Sequence, residues 1–176
     1  DPSTTGDPST TGDPTTTGGT GCGSDPGWGS VSPGSAVKHI AAVTDEGEAF
    51  NTCDLAGTPF VIDVSTVWCG PCNDAAAYLA GVSNSDPFSG LGSQIRDLIN
   101  NDTIIWLTFL TQTATGGQTS QSDGAAWDAM YPSDKIPTLT EGDTPQVEGG
   151  LSVGCFPSAY VVDENQNFLA VEDCQT

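Results

Sequence analysis

The sequence predicts an α/β fold in which helices flank one mixed central sheet. FVIDVST (60–66) is an apolar run typical of a strand that is buried on both faces of a sheet. NDAAAYLA (73–80) follows it closely, and Pro71 suits the first turn of a helix that these alanines favour. PSAYVVD (157–163), the turn ENQN and FLAVED (168–173) together predict an antiparallel hairpin.

The remaining elements are assigned in chain order. AVKHIAAV (36–43), the turn TDEG and EAFN (48–51) predict an N-terminal hairpin ahead of the strand at 60–66, which we expect to be central. After the alanine-rich helix, residues 90–100 form a second predicted helix, with one apolar face made of Leu91, Ile95, Leu98 and Ile99.

Between this helix and the last hairpin, TIIWLTFLT (103–111) predicts another strong strand. Ser122 is the expected N-cap of a helix over AAWDAMY (125–131). KIPTL (135–139) predicts a short strand, and Thr144 with Pro145 predicts the start of one more short helix.

The N-terminal segment differs in composition from the rest of the chain. Residues 1–18 read DPSTTG, DPSTTG, DPTTTG, and glycine, proline and serine dominate up to residue 35. Such a sequence has too few apolar side chains to build a core, so it predicts a flexible tether. The expected organisation is a low-complexity tether over 1–35 and one folded domain over 36–176, with a lipid anchor upstream of residue 1.

Charge and cysteine content limit the function classes. The formal net charge of −20, from 23 acidic residues against three lysines and arginines, repels nucleic acid and anionic lipid. Six cysteines favour an oxidising compartment and therefore an exported protein. The sequence has no run of eighteen apolar residues, so we predict no transmembrane segment.

Cys69 and Cys72 are the strongest chemical signal. At the start of a helix, unpaired backbone N–H groups and the helix dipole stabilise a thiolate, so Cys69 is expected to attack and Cys72 to resolve the mixed disulfide. A zinc site would need further cysteines, because His39 is the only histidine. A purely structural disulfide is disfavoured, because so short a loop restrains the unfolded chain weakly.

WCGPC (68–72) resembles the active site of thioredoxins. The resemblance implies that Asp63, six residues before Cys69, is a buried carboxylate that accepts a proton from Cys72. It also implies a proline with a cis peptide bond opposite the cysteines. Pro137 in IPTL and Pro157 in CFPSAYVV compete for this role, and we choose Pro157 because a strand and a hairpin follow it.

Residues 37–173 resemble, more narrowly, the envelope thiol-disulfide oxidoreductases of the TlpA and ResA type, which are related to redoxins. The resemblance implies a thioredoxin-like fold with an N-terminal hairpin and an insertion, containing IPTL, before the cis-proline strand. It implies no metal or organic cofactor, and a monomer in the bacterial periplasm or on the cell surface. The implied partners are client proteins with thiols or disulfides and an upstream redox donor. The implied substrate groove contains Trp68, Gly70, Pro71 and Phe156.

The other four cysteines allow three pairings. Folding the last hairpin about ENQN brings Cys155 close to Cys174, which suggests a structural disulfide there and, by elimination, one between Cys22 and Cys53. A competing interpretation makes Cys155 redox-active, because it lies close to Pro157 in the sequence.

Some features depart from the thioredoxin pattern or favour other functions. TIIWLTFLT contains no lysine or arginine to neighbour Asp63, so we expect the pKa of this carboxyl to rise further. A peroxidase is the nearest rival: Thr66 and Cys69 match half of the peroxiredoxin motif, but Ile62 replaces its proline and Arg96 is the only arginine. A tethered binding module without turnover is the third hypothesis. The sequence favours an exported thiol-disulfide oxidoreductase that reduces or exchanges disulfides in client proteins.

Overall fold

The computed structural model describes residues 23–142 and 145–173. In this part of the chain, the strands are β1 (Ala41–Thr44), β2 (Ala49–Asn51), β3 (Phe60–Thr66), β4 (Ile105–Gln112), β5 (Thr138–Thr140), β6 (Ser158–Val162) and β7 (Phe168–Asp173). The helices are α1 (Gly70–Leu79), α2 (Gly92–Asn100), α3 (Gln121–Met130) and α4 (Val147–Gly150), and a 3-10 turn spans Thr52–Leu55.

All seven strands belong to one mixed sheet in the order β2-β1-β5-β4-β3-β6-β7. β3 lies between β4, to which it is parallel, and β6, to which it is antiparallel. Every residue of β3 is buried, as expected for a strand with both faces covered. The predicted mixed α/β sheet is therefore confirmed, with FVIDVST close to its centre.

The two faces of the sheet have different covers. Along β3, Val61 packs with Tyr78 and Leu79 of α1, on the face that α1, α2 and α3 cover. We call this the helical face. Alternate residues of a strand point to opposite faces, so Ile62 lies on the other side, in a larger core that includes Val147 of α4.

The predicted hairpins are present. β1 pairs antiparallel with β2, and β6 pairs antiparallel with β7. KIPTL contributes β5, which pairs with β4 inside the main sheet and lies in the insertion between β4 and β6. Thr144, the predicted start of a short helix, lies outside the described residues, and α4 begins at Val147.

One boundary predicted from the sequence is wrong. α3 begins earlier than predicted, because Ser120 and Asp123 form a capping box, so Ser120 and not Ser122 is the N-cap. The predicted apolar face of α2 is only partly buried: Ile99 reaches the core, whereas Leu91 and Leu98 are 56% and 41% exposed.

Residues 28–35, which the composition assigns to the tether, contact the folded domain. Trp28 and Val31 pack against the core on the sheet face opposite the helical face. The backbone of Gly34 donates to Phe168 at 2.8 Å, and Phe168 donates to Ser35 at 2.9 Å. Packing contacts therefore begin before Ala36. The DPSTTG repeats and Cys22 lie outside the described residues.

None of the helices in the described ranges combines the length and the apolar character that crossing a bilayer requires.

The contact between Trp28 and Gly150 gives a test of the packing of residues 28–35. A Cβ atom on Gly150 would overlap the Trp28 indole, whereas a Cβ atom on Gly149 would meet nothing within 4 Å. We expect Gly150→Ala to lower the free energy of unfolding by about 1–3 kcal/mol, because the indole must leave its site. Gly149→Ala is the matched control, and urea denaturation measures both. Equal stability of the two variants would show that Trp28 does not pack there in solution.

Candidate active site

Cys69 and Cys72 form a disulfide at the start of α1. Cys69 is the N-cap residue of this helix, and the backbone N–H of Cys72 donates to Cys69 Sγ at 3.2 Å. Pro71 lies in the first turn, where its missing N–H costs no helical hydrogen bond. The Cys69 sulfur thus lies at the positive end of the helix dipole, where a thiolate is stabilised when the disulfide is reduced.

The disulfide is almost fully buried, although Gly70 and Pro71 between its two cysteines are exposed. Cys69 is 3% exposed and Cys72 is 1% exposed. Leu110 of β4 and Trp127 of α3 form a buried cluster with the two cysteines, and Phe156 packs against it. Part of the covering comes from Trp127 of the insertion helix α3, whose packing the local motif does not reveal.

The predicted groove residues surround this buried pair. Gly70 and Pro71 are exposed, and Trp68 is 52% exposed. The rings of Trp68 and Phe156 meet edge to face, with centroids 5.7 Å apart. The Phe156–Pro157 peptide bond is cis, and Pro137 is not among the cis residues of the described chain. Pro157 directly precedes β6, which pairs with β3.

Asp63 is a buried carboxylate on the helical face of β3. It accepts hydrogen bonds from Ser65 Oγ at 3.1 Å and from Trp106 Nε1 and Thr108 Oγ1, both at 3.4 Å. Burial raises the pKa of Asp63 to about 6, and these three donors oppose part of that rise. All three donors are uncharged.

The register of the sheet relates Asp63 to the disulfide. Asp63 lies opposite Thr108 of β4, and Leu110, two residues further along the same face, packs against both cysteines. Two residues of a strand span about 7 Å, so the carboxylate lies roughly one side-chain layer below the cysteine pair. A narrow crevice on this face is lined by Thr108, Trp127 and residues of α1.

Sequence reasoning missed two sets of polar contacts to the active-site loop. The indole N–H of Trp68 donates to Gln112 Oε1 at 2.9 Å, and Gln112 Nε2 donates to the Glu148 carboxylate at 2.9 and 3.0 Å. Asn73 Nδ2 donates to the carbonyl oxygens of Val67 and Cys69. The only signals were that Asn73 directly follows CGPC and that Gln112 ends a strand.

A cleft lies beside this loop, and Gln112, Glu141 and Glu148 are among its lining residues. The carboxylate of Glu141 accepts the backbone N–H groups of Gln146 and Val147, which begin α4. Burial, together with the nearby charge of Glu148, raises the pKa of Glu141. The cleft therefore has an acidic lining.

Two of the four other cysteines lie in the described part of the chain. Cys53 and Cys155 are each disulfide-bonded. Cys22 and Cys174 lie outside the described residues, so the suggested pairings of Cys155 with Cys174 and of Cys22 with Cys53 stay predictions.

His39 and Arg96, the residues named for a zinc site and a peroxidase, make their contacts away from the cysteine pair. Across residues 23–142 and 145–173, no three His, Cys, Asp or Glu side chains converge as a metal site would require. His39 precedes β1, and its backbone N–H donates to Asp25. Arg96 of α2 stacks over Tyr78, with Cζ 5.1 Å from the ring centroid. Tyr78 is nine residues along the chain from Cys69, about 13 Å at the rise of an α-helix.

Comparisons with solved structures find the same fold in redox proteins. The thioredoxin domain of a thiol-disulfide oxidoreductase from Bacteroides vulgatus aligns with a TM-score of 0.60 and 17% identity, covering 81% of this chain and 89% of that one. A secreted disulfide oxidoreductase from Mycobacterium tuberculosis aligns with a TM-score of 0.56 and 17% identity, covering 78% and 85%. The pneumococcal exposed lipoprotein thioredoxin from Streptococcus pneumoniae gives 0.56 and 14%, covering 78% and 90%.

No family model and no curated protein sequence matches the chain. The structural likeness covers most of this chain and most of each solved structure, at a low sequence identity. The chain therefore has a thioredoxin-like fold. Its features are the seven-stranded mixed sheet, the helix α1 with Cys69 as its N-cap, and the hairpin that follows Pro157.

Proposed function

We propose that this protein is an exported thiol-disulfide oxidoreductase that reduces or exchanges disulfides in client proteins. The observation that carries the proposal is the Cys69–Cys72 disulfide at the N-terminus of α1, in a thioredoxin-like sheet. A fold alone does not determine a function, but this pair occupies the position that activates a thiolate.

The chemistry begins with the reduced dithiol. The Cys69 thiolate attacks one sulfur of a client disulfide, which forms a mixed disulfide and releases a client thiolate. Cys72, once deprotonated, attacks the Cys69 sulfur, which closes the ring and releases the second client thiolate. Two electrons pass from the cysteine pair to the client, and an upstream dithiol donor must reduce the ring again.

Asp63 is the proposed acceptor of the proton that Cys72 loses. With a pKa of about 6, the carboxyl is ionised in most molecules at neutral pH, yet it binds a proton more readily than an exposed aspartate. The chain has only three lysines and arginines. Lys38 pairs with Asp25, Lys135 pairs with Asp102 and Arg96 lies over Tyr78, so no cation holds Asp63 in its ionised form.

The cellular setting is part of the proposal. Six cysteines favour an oxidising compartment, and two of the structural matches are a secreted oxidoreductase and an exposed lipoprotein. Residues 1–35 are proposed to tether the domain at 36–176 to the cell surface or within the periplasm, with a lipid upstream of residue 1. The protein acts as a monomer, and its partners are thiol- or disulfide-containing clients and a redox donor. The mechanism uses no metal or organic cofactor and no nucleic acid.

A trapping experiment tests the mechanism. In a Cys72→Ser variant the mixed disulfide cannot resolve, so we expect a covalent complex between Cys69 and a disulfide-bonded polypeptide such as insulin, visible on a non-reducing gel. The Cys69→Ser/Cys72→Ser double variant is the control and should form none. The wild-type protein should also accelerate the reduction of insulin by dithiothreitol.

Other outcomes separate the rival functions. A binding module would retain insulin without a covalent complex and without turnover. A peroxidase would consume hydrogen peroxide after loss of Cys72, and this activity would depend on Arg96. Either result would replace the proposed function.

The pH dependence of stability tests the environment of Asp63. The pKa of Asp63 is about 6 in the folded protein against an ordinary aspartate value of 3.8, so the folded state binds the proton more tightly than the unfolded state. The free energy of unfolding therefore falls as pH rises from about 4 to 6 and stays lower above that, by about 3 kcal/mol at most. Asparagine does not ionise, so Asp63→Asn should gain stability relative to the wild type over this range.

Urea denaturation of the oxidised proteins at pH 4, 5, 6 and 7 measures this difference. Asp97→Asn, which removes an exposed carboxylate of α2, is the control for the loss of an acidic side chain. In the reduced protein, Asp63→Asn should also slow the ring closure by Cys72. A stability difference that is constant from pH 4 to 7 would contradict the raised pKa.

A further inference from the structure

We propose that Asn73 and Tyr131 are positioning residues of the active site, which hold the backbone on both sides of Cys69 so that its sulfur stays at the start of α1. They act through the loop and do not touch the client. This inference rests on the proposed function, because it assigns these residues a part in the reactivity of the same cysteine.

The side chain of Asn73 connects two points of the loop. Its Nδ2 donates to the carbonyl oxygen of Cys69 at 2.6 Å and to that of Val67 at 3.2 Å. The backbone N–H of Asn73 donates to the same Cys69 carbonyl at 3.1 Å. One half-buried amide thus spans the turn from the end of β3 to the first turn of α1, with Trp68 and Cys69 inside the span.

Tyr131 contacts the other end of this amide. Its hydroxyl donates to Asn73 Oδ1 at 2.7 Å. The carbonyl oxygens of Val67 and Cys69 can only accept, so the NH₂ group must face them and the amide oxygen must face the phenol. If the amide turned over, its oxygen would face two other acceptors. Tyr131 therefore favours the one orientation in which Asn73 holds the loop.

Tyr131 is itself held by the insertion. Its ring packs edge to face on Trp127, with centroids 4.9 Å apart, and its backbone N–H donates to the carbonyls of Trp127 and Asp128. Trp127 belongs to the buried cluster that contains both cysteines. At the end of α3, Trp127 thus covers the disulfide, and Tyr131 fixes the loop through its hydrogen bond to Asn73.

The consequence for reactivity follows from the position of the sulfur. Cys69 Sγ accepts the Cys72 N–H only while the loop keeps Cys69 at the N-cap. If the loop relaxes, the thiolate loses this donor and moves away from the positive end of the helix, so its pKa rises toward that of a free cysteine and its attack slows at neutral pH.

Asn73→Ala and Tyr131→Phe test this idea without altering a charge at neutral pH. The titratable groups around the loop are Cys72 and Asp74 on α1, Asp63 on β3, Tyr131 after α3 and, through Gln112 and Trp68, Glu148 on α4. Tyr131→Phe removes only a phenolic hydroxyl. Burial raises the pKa of this hydroxyl above its usual value, so the group that is removed is uncharged at pH 7.

The measurement is the rate of alkylation of Cys69 in the reduced protein from pH 5 to 10, with the modified peptide identified by mass spectrometry. We expect Asn73→Ala to raise the apparent pKa of Cys69 by about one unit and Tyr131→Phe to raise it by less. Because Tyr131 acts through Asn73, adding Tyr131→Phe to Asn73→Ala should change nothing further. The reduction potential measured against glutathione should shift with the same pattern.

Matched controls remove similar groups elsewhere. Tyr160→Phe deletes a buried hydroxyl that donates to the carbonyl oxygen of Leu151, on the opposite face of the sheet. Asn167→Ala deletes a side-chain amide in the β6–β7 turn. Both should leave the pKa of Cys69 unchanged even if they lower the melting temperature.

Three outcomes would overturn the inference. The first is an unchanged pKa in both variants, and the second is additive effects in the double variant. The third applies if Asn73→Ala does not fold. Tyr131→Phe, which loses a single hydroxyl, would then overturn the inference by leaving the apparent pKa of Cys69 unchanged. These outcomes differ from failure of the proposed function, in which the wild-type Cys69 itself has the acidity of a free cysteine and forms no mixed disulfide with insulin.

Discussion

The turn between β3 and α1 is the constraint on which the rest of the site depends. β3 is buried on both faces and ends at Thr66, and α1 begins at Gly70, so only three residues carry the chain from the sheet to the helix. Cys69 must then occupy the N-cap, where the helix dipole and the Cys72 N–H meet its sulfur.

The insertion between β4 and β6 completes this arrangement. α3 supplies Trp127 as a cover and Tyr131 as a hydrogen-bond donor to Asn73. α4 supplies Glu148, whose carboxylate binds Gln112, which in turn accepts the indole N–H of Trp68. Trp68 also meets Phe156, so its side chain is held from the insertion and from the cis-proline segment at once. The insertion thus serves the site and not only the sheet.

The sequence predicts what local patterns specify. The apolar run at 60–66 and the alanine-rich stretch after Pro71 identify β3 and α1, because burial and helix propensity are properties of short segments. Pro157 could be chosen over Pro137 because a strand and turn follow it. Tyr131 and Glu148 could not be found, since their partners Asn73 and Gln112 lie 58 and 36 residues away in the chain. The exposure of Leu98 could not be predicted either, because an apolar helix position does not show whether a neighbouring element covers it.

Asp63 shows how function and stability conflict in this fold. Its pKa of about 6 means that ionising the buried carboxyl at neutral pH destabilises the folded state, and only three uncharged donors offset that cost. An apolar residue at this position of β3 would pack without such a cost. A carboxylate in mid-strand breaks the pattern of the surrounding FVIDVST run, and such departures concentrate at sites of chemistry. Since the three cations of the chain are engaged with Asp25, Asp102 and Tyr78, the proton affinity of Asp63 is set by burial and by its hydroxyl and indole neighbours. The sheet therefore holds a buried carboxyl whose pKa is raised and whose hydrogen-bond partners are all uncharged.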